Sequence, residues 1–310
     1  MNKVIIDTDI GVDDAFAIAY AAKYCDVIGI TTVFGNVPVE QAVKNAKLFC
    51  EKINLNAQIY KGCSRPLAVA PMPVGTKVHG DDGMGGVFHN PHTADAEDAI
   101  SFIIESIKKN PGEITLIPIG LLTNISVALN QAPEIIGLVK QVVIMGGAYG
   151  SFGHFGNATP FAEFNFWKDP HAADQVLSSG LPITVVPLDV THQVLISGAD
   201  IRQIKNELFE RISEFYLQFS LREEGFEGMA LHDSLAVAFL IHPECFSTVT
   251  SPLRVVTEGI CIGQSLRKPS YCATRSDPFQ GLKHHQLCLD VDVEKVKRHF
   301  LDTLTQQFHS

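Results

Sequence analysis

The chain has 310 residues, of which 46% are hydrophobic, and its formal net charge of −10 comes with no block of lysine or arginine. This acidic balance excludes nucleic acid as an expected partner, because proteins that bind phosphates usually present a basic stripe. With no linker-like, repetitive or low-complexity segment, the composition predicts a single domain over residues 1–310.

Six short apolar runs in the first two-thirds of the chain have the composition of buried β-strands. They are nearly continuous in apolar residues rather than alternating, as in strands that are covered on both faces of a parallel sheet. The runs are VIIDT at 4–8, VIGITTVFG at 27–35, AQIYKG at 57–62, ITLIPIG at 114–120, QVVIMGG at 141–147 and ITVVPLD at 183–189.

Helical patterns separate these runs, with apolar residues at helical spacing in segments 13–24, 39–53 and 95–110. The last third of the chain, with segments 201–224 and 232–244, is more helical and is predicted to lie over the sheet. This alternation predicts an α/β fold with an open, mostly parallel (Rossmann-like) sheet flanked by helices. The active site is expected at the C-terminal ends of the strands.

Four aspartates, Asp7, Asp9, Asp13 and Asp14, stand within eight positions where the first predicted strand ends. Two carboxylates about 4 Å apart repel by roughly 4 kcal/mol at an effective dielectric of about 20, so the cluster needs protons, wide spacing or a cation. Asp13 or its neighbour could cap the following helix, but a cap accounts for one carboxylate only. Oxygen ligands suit Ca²⁺ or Mg²⁺. The spacing is not that of an EF-hand, so a site would need distant loops, such as the one with Asp233.

The run VIIDTDIG also resembles the start of a phosphotransferase of the haloacid-dehalogenase type, in which the first aspartate, here Asp7, is the nucleophile. That class usually has threonine or valine after the second aspartate, and later a lysine and an acidic pair on Mg²⁺. Ile10 and Gly11 follow here instead. A phosphohydrolase that uses Asp7 is therefore an alternative hypothesis.

Six segments together resemble the inosine-uridine preferring nucleoside hydrolases, and they occur in that family's order. They are DTDIGVDDAFAI at 7–18, TTVFGN at 31–36, GLLTNI at 120–125, MGGAY at 145–149, GNATPFAEFNFWKDP at 156–170 and LHDS at 231–234. The resemblance implies a calcium-dependent enzyme of nucleoside salvage. Such an enzyme cleaves the N-glycosidic bond of a small-molecule ribonucleoside, uridine, cytidine or inosine, to free base and ribose.

The resemblance also implies the metal ligands and the reaction. Asp9, Asp14 and Asp233 would hold Ca²⁺ together with the backbone carbonyl of Thr123. Asp9 would also be the general base for the metal-bound water, and Asp7 would support the cluster from behind. Because hydrolysis at an anomeric carbon passes through an oxocarbenium-like transition state and no second carboxylate is proposed as nucleophile, we expect direct displacement with inversion.

The remaining family motifs imply a substrate pocket. Asp13 and Asn165 would bind the ribose 2′- and 3′-hydroxyls, and Glu163 and Asn157 would hold the 5′-hydroxyl. The residues expected to complete the ribose pocket or to contact the base are Asn36, the backbone of Met145, Phe164, Phe219 and Phe226.

Histidines are expected on the side of the leaving base. His232 is implied to face the base and is a candidate proton donor, since histidine titrates near neutral pH. His79 lies in a glycine-rich loop that could close over the base, and His154 is a further candidate. The only tryptophan is Trp167. Purine-specialised members of the family stack the base between tryptophans, so this favours pyrimidine or broad specificity.

A protein with this pocket could also bind calcium or a sugar without catalysis. Such a protein would be expected to have lost Asp9 or His232. Both residues are present, which favours the enzyme.

The compartment and the assembly state are predicted as well. The start MNKVIIDTD does not have the pattern of a signal peptide, and no apolar run approaches the roughly 20 residues of a membrane span. The seven cysteines form no Cys-x-x-Cys pair, which favours a reducing compartment over a disulfide framework. We therefore expect a cytoplasmic protein without a membrane partner, and the resemblance implies a homo-oligomer, either a dimer or a tetramer.

Overall fold

The computed structural model describes residues 1–72, 76–87, 90–225, 227–270 and 275–307, and these ranges contain thirteen strands. In chain order they are β1 (Asn2–Thr8), β2 (Cys25–Thr32), β3 (Ile59–Lys61), β4 (Glu97–Asp98), β5 (Ile114–Pro118), β6 (Gln141–Met145), β7 (Ile183–Val186), β8 (Leu195–Ile196), β9 (Met229–Ala230), β10 (Phe246–Ser251), β11 (Leu253–Val255), β12 (Ser265–Arg267) and β13 (His285–Val291).

Twelve α-helices occur in the same ranges, and none of them is long and apolar enough to cross a membrane. They are α1 (Val12–Tyr24), α2 (Val39–Lys52), α3 (Thr76–His79), α4 (Ala99–Lys109), α5 (Thr123–Gln131), α6 (Phe164–Lys168), α7 (Pro170–Ser178), α8 (Leu188–Thr191), α9 (Gly198–Gln203), α10 (Glu207–Phe219), α11 (His232–Ile241) and α12 (Val293–Gln307). A π-helical turn, Ser220–Glu224, continues α10.

Nine of the strands form one central sheet in the order β10-β13-β7-β6-β5-β1-β2-β3-β4. Its pairings are parallel except at one edge, where β10 runs antiparallel to β13. The strands β8 and β9 form one small antiparallel pair, and β11 and β12 form another. The predicted open, mostly parallel α/β sheet flanked by helices is therefore confirmed.

Both faces of the sheet are buried, as the continuous apolar runs predict. Successive side chains of β1 point to opposite faces: Val4 and Ile6 belong to one apolar cluster, and Ile5 belongs to the other. The first cluster includes Phe16 of α1, and α1 packs against α11. This double covering leaves the edge formed by the strand ends as the place for polar side chains.

The last third of the chain differs from its prediction. The helices α10, α11 and α12 are present, but β10 and β13 also come from this third and extend the central sheet. Ser247 and Thr248 on β10 are exposed to solvent, as is common for residues of an edge strand. These two strands lack the continuous apolar run that identifies the inner strands.

The carboxyl ends of four neighbouring strands carry residues of the family motifs. Asp7 lies within β1 near its end, Asn36 follows β2, Thr123 begins the helix after β5, and Met145 ends β6. Parallel pairing brings these ends to the same edge of the sheet. The polar residues that stand far apart in sequence therefore meet there.

Candidate active site

A cavity of about 120 Å³ opens at this edge of the sheet. It is lined by Asp9, Asp13, Asp14, Asn36, Val78, His79, Ile119, Met145, Asn157, Glu163, Phe164, Asn165, Tyr216, Phe219, His232 and Asp233. Most of the residues assigned from the family motifs are therefore brought to one cavity.

The turn between β1 and α1 places the aspartates. Asp14 caps the start of α1, because its Oδ2 accepts the backbone N–H of Gly11 at 2.8 Å. Its Oδ1 accepts the hydroxyl of Thr8 at 2.5 Å, and the Thr8 hydroxyl oxygen accepts the N–H of Ile10 at 3.0 Å. The predicted capping role thus falls on the neighbour of Asp13, and the side chain of Asp13 faces the cavity.

Three buried carboxylates form a group that could hold a metal ion. One oxygen each of Asp13, Asp14 and Asp233 lies within 4.8 Å of the others. Burial and the charges of neighbouring aspartates raise the pKa of Asp13 and of Asp233 well above the usual range. Burial also raises the pKa of Asp14. Burial and mutual repulsion disfavour the charged forms of these carboxylates, and a cation would offset both effects, so the donor set fits a hard divalent ion that binds oxygen.

Asp9 lies beside this group rather than inside it. Its Oδ2 accepts the backbone N–H of Asn36 at 2.7 Å. Burial raises its pKa well above the usual range, and the charges of Asp14 and Asp13 add to this. Thr123, the other ligand implied by the family motifs, is not among the residues that line the cavity, and its hydroxyl donates to Asp169 at 2.7 Å.

Asp7 supports the strand ends and does not line the cavity. Its Oδ1 accepts the hydroxyl of Thr31 at 2.5 Å and the amide of Asn124 at 2.7 Å. Burial raises its pKa to about 7. A phosphotransferase nucleophile would have to face the substrate, so this position gives no support to the alternative that uses Asp7.

Asn165 and Met145 meet on the side of the cavity assigned to the ribose. The Asn165 amide donates to the carbonyl oxygens of Ile119 at 2.9 Å and Met145 at 3.3 Å. These bonds occupy the nitrogen of the amide and leave its oxygen as an acceptor for a ligand. The Met145 carbonyl is thus already engaged by the chain itself.

Glu163 closes the same side. It is the N-cap of α6, and its carboxylate accepts the backbone N–H groups of Asn165, Phe166 and Gly147. Burial raises its pKa, and the three N–H groups oppose that rise. Asn157 accepts the N–H of Phe164 at 2.9 Å through its Oδ1, which leaves its amide N–H groups as donors.

Two histidines, His79 and His232, also line the cavity. The backbone N–H of Val12 donates to Nδ1 of His79 at 3.1 Å, so the neutral ring carries its proton on Nε2. Burial lowers the pKa of His79 to about 3. Burial, together with His192 and His79, also lowers the pKa of His232 well below its usual range. Burial therefore favours the neutral form of the His232 imidazole.

His154 is not one of the residues that line the cavity. Its Nδ1 lies 3.0 Å from Nδ1 of His192, and the ring of His192 lies 5.2 Å from that of His232. His192 thus separates His154 from His232.

Some residues of the cavity wall have no counterpart in the sequence prediction. Val78, Ile119 and Tyr216 are of this kind, whereas Phe219 was predicted to contact the base and does line the cavity. Tyr216 stands one helical turn before Phe219 on the amphipathic α10, and this spacing was the signal that could have found it. The predicted contact of Phe226 falls outside the described residues.

Comparisons with known proteins cover nearly the whole chain. A family model described as inosine-uridine preferring nucleoside hydrolase matches residues 4–298. The "Probable uridine nucleosidase 1" of Oryza sativa subsp. japonica is 34% identical in an alignment 307 positions long, which covers 95% of this chain and 94% of that protein.

Two solved structures share the fold at similar identity. The plant nucleoside hydrolase PpNRh1 superposes with a TM-score of 0.91 at 31% identity, covering 98% of this chain and 99% of that one. The purine-preferring ribonucleoside hydrolase from Gardnerella vaginalis superposes with a TM-score of 0.89 at 32% identity, covering 98% of each chain.

Proposed function

The chain belongs to the inosine-uridine preferring nucleoside hydrolase family, and we propose that it hydrolyses ribonucleosides to free base and ribose with a calcium ion held by its buried aspartates. That it is a ribonucleoside hydrolase, an enzyme that cleaves N-glycosyl bonds, follows from the family. The calcium ion, the catalytic steps and the preferred base are the proposal.

The observation that carries the proposal is the buried carboxylate group at the wall of the cavity. Asp13, Asp14 and Asp233 offer oxygens only and lie within 4.8 Å of one another. We propose that Asp14 and Asp233 hold calcium, with Asp9 and the Thr123 carbonyl completing the site. The ion would offset the charge of these carboxylates and lower the pKa of a coordinated water.

Asp9 is the general base of the proposed reaction. Its carboxylate lines the cavity, and the Asn36 N–H holds its Oδ2 at 2.7 Å. In this position Asp9 takes the proton of the attacking water. Glu163 is the other acidic side chain on the ribose side, but three backbone N–H groups hold its carboxylate in place. We therefore propose direct displacement with inversion rather than a covalent intermediate.

The ribose hydroxyls are bound by side chains that still have a free hydrogen-bond donor or acceptor. The Asn165 oxygen accepts a hydrogen bond from the 3′-hydroxyl, and Asp13 accepts one from the 2′-hydroxyl. Asn157 and Glu163 hold the 5′-hydroxyl, and Asn36 contributes to the same wall. A 2′-deoxynucleoside lacks the partner of Asp13, which would leave a buried carboxylate without its hydrogen bond. The enzyme should therefore select ribonucleosides.

The base occupies the side of the cavity formed by aromatic and histidine side chains. Tyr216, Phe219, His79 and His232 line it, whereas Trp167 does not. We propose that pyrimidine ribonucleosides, uridine above all, are substrates. A similar protein carries the name uridine nucleosidase, although another is called purine-preferring, so inosine is the necessary comparison.

The test is the release of free base from uridine, inosine and 2′-deoxyuridine by the full chain, with calcium and then with a chelator. We expect free base from uridine faster than from inosine, no measurable product from deoxyuridine, and loss of activity in the chelator that added calcium restores. The D9N variant, which keeps the shape of the side chain but removes the base, should lower kcat by about 10²- to 10⁴-fold.

Two outcomes would contradict this proposal. Release of ribose that is indifferent to chelation would exclude the calcium ion while keeping the hydrolase. No release by a folded, calcium-loaded protein would favour a binding protein. The role in nucleoside salvage, the single domain, the cytoplasmic location and the homo-oligomeric state stay predictions.

A further inference from the structure

Thr191 ends the short helix α8 directly behind the cavity. The helix is anchored at both sides: the Leu188 N–H donates to the carbonyl of Gly147 at 2.9 Å, and Asp189 accepts the N–H groups of Tyr149 and Ser151. Thr191 is fully buried and is not among the residues that line the cavity. Its hydroxyl therefore has a fixed position and no access to a ligand.

The Thr191 hydroxyl contacts the histidine on the base side of the cavity. Its Oγ1 lies 2.7 Å from Nδ1 of His232. His232 itself lines the cavity. Because Nδ1 is turned toward Thr191, Nε2 is the ring nitrogen that is left to meet a ligand.

The direction of this hydrogen bond follows from the needs of the hydroxyl. A buried hydroxyl proton without an acceptor is costly. Within the described ranges, neither a carbonyl of the preceding turn nor any side chain except His232 takes the Thr191 proton. Thr191 therefore donates and Nδ1 accepts. A neutral imidazole that accepts at Nδ1 carries its proton on Nε2.

We propose that Thr191 is a positioning residue that holds His232 in the Nε2–H tautomer, so that His232 is a hydrogen-bond donor to the leaving base. This rests on the proposed function. As the C1′–N bond breaks, its electron pair moves to the base, and negative charge builds on the ring and its carbonyl oxygens. A preorganised donor stabilises that charge in the transition state. His232 keeps its proton, and the base later takes one from water.

The other tautomer would have the opposite effect. With the proton on Nδ1, the ring would present the Nε2 lone pair to the developing anion and would repel it. An imidazole without a fixed partner populates both forms. The Thr191 hydroxyl fixes one tautomer, whereas a methyl group in its place would let the ring populate both.

The first measurement is the ¹⁵N spectrum of histidine-labelled, calcium-loaded full-length protein, with the His232 signals assigned by their loss in H232N. We expect a protonated Nε2 and an unprotonated Nδ1 in the wild type and in T191S. In T191V, which has nearly the same shape, we expect signals averaged between the two tautomers. An Nδ1–H signal in the wild type would overturn the proposal even if T191V did not fold.

The second measurement compares two leaving groups. Uridine needs help to release its base, whereas p-nitrophenyl riboside releases a stable phenolate. T191V frees both the tautomer and the orientation of the His232 ring, so it should lower kcat on uridine by about 10- to 100-fold with little change in KM, whereas T191S should keep the wild-type kcat. On p-nitrophenyl riboside, both variants should stay within about threefold of the wild type.

An equal loss on both substrates would mean that Thr191 supports the fold only, and would contradict the proposal. If the wild type released no base from either uridine or inosine, the proposed function would fail. The role of His232 as a donor to the leaving base would fail with it. The ¹⁵N spectrum would still decide the tautomer, so the two failures are distinguishable.

Discussion

The position of the Asp9 carboxylate depends on a hydrogen bond and on two neighbouring glycines that leave room for it. Its Oδ2 accepts the Asn36 N–H at 2.7 Å. A Cβ at Gly35 would lie 2.0 Å from the same oxygen, and a Cβ at Gly120 would lie 2.8 Å from the backbone nitrogen of Asp9. Both glycines are therefore required by the close approach of the backbone to this carboxylate.

The substitution G35A tests this packing. Because the new methyl group cannot coexist with Asp9 in its present position, we expect Asp9 to move and kcat to fall by at least about 100-fold, the scale of a lost general base. The measurement is ribose release from uridine with saturating calcium. Thermal unfolding of the same sample would show that the protein is folded.

A matched control is available at Gly137, where a Cβ would meet nothing within 4 Å. The substitution G137A should leave activity close to that of the wild type. Similar rates in G35A and G137A would mean that the carboxylate of Asp9 tolerates displacement, which its role as a base does not allow.

Residues of the site were predictable from sequence where the signal is local. Asp9, Asp13 and Asp14 stand in one turn after a buried strand, so their clustering follows from the chain itself. Thr191 carries no such signal. Its role depends on where α8 packs against the cavity, and that packing is set by contacts between distant parts of the chain.

At the scale of elements, the inner strands were predictable and the outer ones were not. The continuous apolar runs of β1, β5 and β6 exist because both faces of these strands are covered. β10 has the sequence FSTVTS and half of its residues are exposed. An edge strand of this kind is specified by its pairing with β13 rather than by its own composition.

β13 begins at His285, which is a buried histidine far from the site in sequence. Its Nε2 lies 2.7 Å from the carbonyl of Leu177 and donates to it. Burial lowers the pKa of His285; the hydrogen bond to Leu177 opposes this shift, and nearby Lys283 and His284 add to it. The unfolded chain has the ordinary histidine pKa of about 6.5. As pH falls through that value, the unfolded state binds a proton that the folded state does not, so stability is lost toward acid.

The substitution H285Q isolates this contribution. Glutamine can still donate to the Leu177 carbonyl but does not titrate, so the loss of stability between pH 7.5 and 5 should be smaller than in the wild type. The measurement is the urea midpoint at both pH values with saturating calcium. The substitution H284Q at the exposed neighbour is the control, and equal pH dependence in H285Q and the wild type would contradict the assignment.

At the scale of the whole molecule, the buried carboxylates of the site destabilise the fold when no cation is bound. The central sheet buries four carboxylates, Asp9, Asp13, Asp14 and Asp233, whose exposed fractions are all 6% or less. Burial and mutual repulsion raise their pKa values. In the metal-free protein, the folded state with these carboxylates charged is therefore disfavoured. A bound cation would convert that repulsion into attraction.

Calcium should therefore stabilise the protein in one cooperative transition. A ligand at 100 times its Kd adds about 2.7 kcal/mol of stability, and each kcal/mol moves the midpoint by about 2 °C in a chain of this length. We expect calcium to raise Tm by about 5 °C at that concentration. Two separate transitions would contradict the single domain over residues 1–310.

The substitution D233N gives the sharper form of this test, because its two effects have opposite signs. It removes one charge from the cluster, so without calcium its Tm should equal or exceed that of the wild type. It also removes a proposed ligand, so the increase in Tm on adding calcium should shrink or vanish. If D233N instead lost stability without calcium and kept the full increase with it, Asp233 would be a structural residue, and the cation would have to bind elsewhere.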